Sequence, residues 1–205
     1  MQGEPETADM PPDPEVLRGF GDAERARVAT MFWEAFADKL GVVLAPEARA
    51  LAFLEASVRP DRALVARAAS GEILGVAGMK TEAGGLVAAG LPEIAVHYGW
   101  MGALWRGPLL ELTERRIEPG QMLLDGLFVT ASARGTGVGT ALIEAVVDEA
   151  HELGLTQLCL EVVDSNPRAR ALYGRLGFRT VQEERGRLIG RAFGYRTLYV
   201  MARNV

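Results

Sequence analysis

A chain of 205 residues can bury a full hydrophobic core without disulfide or metal staples. Its composition, 49% hydrophobic and 24% charged, is that of an ordinary soluble protein. The formal charge of −5 argues against a non-specific nucleic-acid binder, which needs clustered Lys and Arg. There is no run of eighteen apolar residues, so no membrane span is expected. Cys159 is the single cysteine; it excludes an internal disulfide and fits a reducing compartment, with the cytoplasm as the expected location.

Residues 1–14 are acidic and proline-rich, with no basic segment followed by an apolar one. They are expected to be a disordered tail rather than a secretory signal, leaving 15–205 as a single domain. Glu15 to Phe20 has the pattern of a short strand, and Asp22 is placed to cap a helix carrying Val28, Met31, Phe32, Ala35, Phe36 and Leu40 at helical spacing. Gly41 is the expected end of that helix. A second amphipathic helix is expected from Pro46 onward, followed by strands over Arg62 to Ala69 and Glu72 to Lys80 around the turn Ser70-Gly71.

The stretch 82–120 is interrupted by glycines yet contains Tyr98, Trp100 and Trp105. It is expected to be an irregular insertion with one or two short helices, either covering the acceptor side of a site or forming local core. Beyond it the pattern sharpens. Gln121 to Val129 is a strand, Gly135 to Leu153 an amphipathic helix closed by Gly154, and Leu158 to Val163 a strand apolar on both faces apart from Glu161. Ser165 can cap a helix ending at Gly177, and Phe178 to Glu184 and Arg196 to Met201 complete the strands. The strand–helix–strand–helix–strand order predicts parallel neighbours joined by crossovers, hence an α/β class.

Between the strand and helix of this second half lies Arg134-Gly135-Thr136-Gly137-Val138-Gly139. Three glycines at alternate positions leave a turn almost free of side chains. Its N–H groups and the helix start then form an anion site of the kind that holds a pyrophosphate, with Arg134 adding a fork of charged donors. No lysine follows the glycines, which excludes the nucleoside-triphosphate loop. The dinucleotide fingerprint fails at Thr140 and Leu142.

A second motif follows about thirty residues on: Asn166, Ala169, Leu172, Tyr173, Gly177 and Phe178. In this order and spacing the chain resembles the GCN5-related N-acetyltransferase superfamily. The resemblance is specific over Gln121 to Phe178. It implies a mixed central sheet of six to seven strands with helices on both faces, whose fourth and fifth strands splay apart. It further implies acetyl-CoA as cosubstrate, bound by the main chain of Leu127, Phe128 and Val129, by Arg134 through Thr140 (Arg134, Gly135, Thr136, Gly137, Val138, Gly139, Thr140), and by Asn166.

The same resemblance gives Tyr173 the role of general acid toward the leaving thiol. Asp125 is the first candidate for the base that deprotonates the acceptor amine, because alternation along the strand puts it on the face of Leu127; Glu161 and water are the rivals. The acceptor is then a primary amine of a small molecule or peptide, with direct transfer in a ternary complex. The alternative is a non-catalytic acetyl-CoA-binding module of the same fold. His97 and His151 have no partners at ligand spacing, so no metal is expected, and Cys159 in an apolar strand is a buried small hydrophobe before it is an acyl carrier. Relatives of this kind are often dimers, which makes a homodimer the assembly to test.

Overall fold

The computed structural model describes residues 14–88, 90–111, 115–186, 190 and 194–205; the expected tail lies outside these apart from Pro14. The element order is β1 (Glu15–Arg18), α1 (Arg25–Leu44), α2 (Glu47–Ser57), β2 (Ala63–Arg67), β3 (Ile73–Lys80), α3 (Leu91–Glu111), β4 (Gln121–Val129), α4 (Val138–Glu152), β5 (Gln157–Val163), α5 (Pro167–Arg175), β6 (Arg179–Arg185) and β7 (Thr197–Asn204).

The seven strands form one sheet in the order β1-β2-β3-β4-β5-β7-β6. β1 to β4 run antiparallel to their neighbours and β4 pairs parallel to β5. The expectation of a second parallel neighbour is corrected. β7 lies between β5 and β6 and is antiparallel to both. The side chains explain this order: β7 carries the buried Val200, Met201 and Ala202, whereas β6 is exposed along its whole length and suits an edge.

Helices cover both faces. Alternation along β2 sends Ala63 and Val65 toward a core shared with α1, α2 and α3, and Leu64 and Ala66 toward a second core under α4 and α5. α1 continues through Gly41 rather than ending there, and its last turn buries Val43 and Leu44. A glycine in a helix costs about 1 kcal/mol. Burying those two side chains contributes roughly 2 kcal/mol each, which decides the outcome. Asp22 binds Arg25 at 2.9 Å instead of capping, and Glu24 accepts the Gly21 N–H at 2.8 Å. The stretch expected to be an irregular insertion with one or two short helices holds α3, which is two helices meeting at a kink where Gly99 takes φ 70 and ψ 164.

Candidate active site

β4 and β5 pair from Gln121↔Gln157 to Leu124↔Leu160 and no further. Beyond that point β4 stays with β3 as far as Val129, and β5 stays with β7 as far as Val163. The two central strands therefore fork, with Asp125 on one side and Glu161 on the other. A cavity of ≈ 950 Å³ passes through the fork. Phe36 and Lys39 of α1, Asp125, Leu127, Glu161, Asn166 and Tyr173 all contribute to its wall.

At the far end of β4 the chain makes a short 3-10 turn, Ala131–Ala133, and α4 begins at Val138 rather than at Gly135. Gly135 and Gly137 take φ of 82 and 94, and no other atoms stand within 4 Å of where their Cβ atoms would be. Gly137 is the N-cap and supplies no side-chain cap, and Ala141 is the first residue to donate back, to the Gly137 carbonyl at 3.0 Å. The N–H groups of Val138, Gly139 and Thr140 are thus the orphan donors of a helix start that no described residue caps, which suits a pyrophosphate. Val138 buries its side chain in the core, so only its main chain can serve a ligand. Thr136 spends its hydroxyl on the Ala133 carbonyl at 2.8 Å, and Arg134 Nε reaches the Val129 carbonyl at 3.3 Å. A Cβ on Gly139 would touch Leu172 and Val129, so the end of β4, the start of α4 and α5 converge here.

The expected face of Asp125 is corrected by a bulge. Gly78 pairs with Gly126 but Met79 pairs with Leu124, leaving Asp125 as an extra residue of β4. The alternation resets, so Leu127 packs toward α4. Asp125 turns the other way and accepts the N–H of Leu86, part of the core under α1 to α3, at 3.0 Å. Gly126 shares that side, close to the ring of Phe36. Glu161 projects from β5 to the same side and is held by Arg115 at 2.8 Å, while the same guanidinium also reaches Glu184 at 3.3 Å and Gln182 at 3.1 Å.

Tyr173 is buried, stacks edge-on against Phe178 at 6.0 Å, and its hydroxyl makes no hydrogen bond among the described residues. Burial pushes its pKa up to about 12. Asn166, not Ser165, caps α5, with Oδ1 accepting the Ala169 N–H at 3.1 Å; its amide nitrogen remains for a ligand. Cys159 packs with Leu123 and Ala202 and does not itself line the cavity, and burial raises its thiol pKa.

None of the three aromatics of the 82–120 stretch lines the cavity. Tyr98 is core and donates to the Leu44 carbonyl at 2.6 Å, while Trp100 and Trp105 face outward with Arg106 stacked on Trp105 at 4.1 Å. His97 packs edge-on against Phe53 at 5.9 Å. Sequence reading missed Lys39, Arg115 and Glu184. One signal was present: the chain has 20 arginines and only 2 lysines, and both lysines, Lys39 and Lys80, line the cavity.

A family model described as the acetyltransferase (GNAT) family matches residues 26–178. The chain belongs to that family. A thialysine N-epsilon-acetyltransferase of Bos taurus is 38% identical over 63 residues, 31% of this chain and 37% of the relative, so the match spans well under half of that protein. Two solved structures share the fold over most of both chains. A GCN5-related N-acetyltransferase of Kribbella flavida has 22% identity and a TM-score of 0.58, covering 93% of this chain and 97% of its own. A Corynebacterium glutamicum protein described as histone acetyltransferase HPA2 and related acetyltransferase has 25% identity and a TM-score of 0.63, covering 93% and 95%.

Proposed function

We propose that this protein moves the acetyl group of acetyl-CoA directly to a primary amine of a small molecule or peptide. The observation that carries this reading is the fork: pairing of β4 with β5 stops at Leu124↔Leu160, and the cavity there meets both a carboxylate, Asp125, and a buried phenol, Tyr173. The glycine turn fits the pyrophosphate of the cosubstrate, because the start of α4 has orphan donors and the space beside Gly135 and Gly137 is open. The similarity to a thialysine N-epsilon-acetyltransferase supports an amine as acceptor.

Acetyl-CoA supplies the acyl thioester, and the chain's own groups do the rest. The main chain of Leu127, Phe128 and Val129 lies on the edge of β4 that β5 leaves unpaired, so it can hold an extended ligand as an added strand and donate to an acyl oxygen. An amine with a pKa near ~10.4 is protonated at neutral pH and must lose a proton before it attacks. Asp125 takes that proton, directly or through water; Glu161 already neutralises Arg115. Tyr173 keeps its proton over the working pH range and delivers it to the departing sulfur.

The test is a panel of primary amines and peptide N-termini assayed for free thiol release with acetyl-CoA, beside thermal shift with acetyl-CoA, ATP and NAD. Thiol release with at least one amine is expected. Stabilisation by acetyl-CoA without release from any amine would instead favour a non-catalytic binding module.

A further inference from the structure

Among the described residues, five cations line the cavity: Lys39, Arg59, Lys80, Arg115 and Arg116. Arg59 is committed to Asp61 at 2.8 Å and to the Ala83 carbonyl at 3.3 Å, and Arg115 to Glu161 and Glu184. Lys80 has its own interaction, and Arg116 stands exposed. Lys39 differs from all of these. It is half-buried on α1, one turn beyond Phe36, whose ring lies against Gly126 at the fork. It makes no hydrogen bond or ion pair among the described residues. Burial lowers its pKa, and only the nearby charge of Glu161 pulls it back. A half-buried cation without a hydrogen bond or close ion pair is costly, and an anion brought by a ligand offsets that cost.

The same cavity is also lined by a carboxylate, Asp125, a group suited to an ammonium. The volume, ≈ 950 Å³, is that of small-molecule sites. We propose that the acceptor is a small amine carrying its own carboxylate, with Lys39 holding the carboxylate while the amine faces Asp125 at the fork. The inference rests on the acyl-transfer reading for the second half of that statement and on the unpaired lysine for the first.

The test uses matched pairs that differ by one carboxylate: lysine against 1,5-diaminopentane and ornithine against 1,4-diaminobutane. Binding to the CoA-loaded protein is measured by calorimetry, and thiol release with acetyl-CoA is followed separately. Wild type should bind at least one amino acid about 10-fold or more tighter than its diamine, as expected for a charge-assisted contact. Lys39→Met should bring the ratio to within about 3-fold, and Lys39→Arg should retain most of it. Thermal melts confirm that both variants fold. A wild type that binds diamines as well as amino acids, or neither, overturns the proposal, as does a Lys39→Met ratio equal to wild type. A Lys39-dependent preference without thiol release would refute acyl transfer and leave the carboxylate site standing. Thiol release with equal kcat/KM for both members of each pair would do the reverse.

Discussion

Asp125 Oδ2 lies 3.0 Å from the backbone nitrogen of Leu86 and accepts its hydrogen bond. The contact ties the bulge of β4 to the segment leaving β3 and fixes the carboxylate where it lines the cavity. A base role for Asp125 depends on this orientation. Asp125→Asn can keep the hydrogen bond through its amide oxygen, so melting should change by no more than about 1 kcal/mol. Turnover should fall about 100-fold and its pH profile should change, as measured by thiol release across pH. A rate and pH profile equal to wild type would transfer the role to Glu161 or to water.

Tyr173 has its pKa pushed up to about 12 by burial alone. The phenol therefore keeps its proton through the range in which amines are acetylated, and the rate should show no alkaline decline from this group below pH ~10. Tyr173→Phe should lower kcat roughly 10- to 100-fold while acetyl-CoA affinity shifts less than about 3-fold. Unchanged turnover in stopped or continuous assays would remove Tyr173 from the chemistry.

Gly137 and Gly139 should answer differently to alanine. Gly137 sits at φ 94, where a Cβ is strained whatever the space, so Gly137→Ala should cost about 1 kcal/mol and weaken CoA binding together. Gly139 is helical and its added methyl would make only ordinary contacts with Leu172 and Val129. Gly139→Ala should leave melting equal or slightly higher, and on the pyrophosphate reading it should weaken CoA binding without that loss of stability. Calorimetry with CoA and thermal melts of both variants separate strain from obstruction. Equal CoA affinity in both would argue against a pyrophosphate on this turn.

Glu24 joins the turn before α1 to β2 through Arg67 at 2.6 Å. That hydrogen bond first, and the Gly21 N–H second, lower its pKa from 4.5 to about 2. A folded value below the unfolded one means that the stabilisation is present above about pH 4.5 and is lost as pH falls toward 2. Glu24→Gln should lower stability by about 1 kcal/mol at neutral pH, with the difference from wild type shrinking through that acidic window. A difference in melting temperature that stays constant from pH 7 to pH ~3 would show that the pair contributes packing and not charge.

Much of the second half was legible because its signals are local. The period of α4, the glycine run and the spacing from Asn166 to Phe178 depend on residues close in the chain, so β4 appeared with its observed ends and the cavity-lining Tyr173 and Asn166 were found directly. Three readings failed for a common reason. Gly41 did not end α1, β6 did not pair with β5, and Asp125 did not share a face with Leu127. Each was decided by partners distant in sequence: the core that receives Val43 and Leu44, the strand β7 that takes the place beside β5, and the unequal register with β3 that makes the bulge.

The sequence by itself therefore determined the elements around the glycine turn, because helix periods and glycine conformations are properties of a few consecutive residues. Only the tertiary structure decided which charged side chains share the cavity. Lys39, Asp125, Arg115 and Glu161 come from four separate segments. Pairing of β4 with β5 runs out at Leu124 and Leu160, and the packing of α1 over the fork then brings these charges to one cavity.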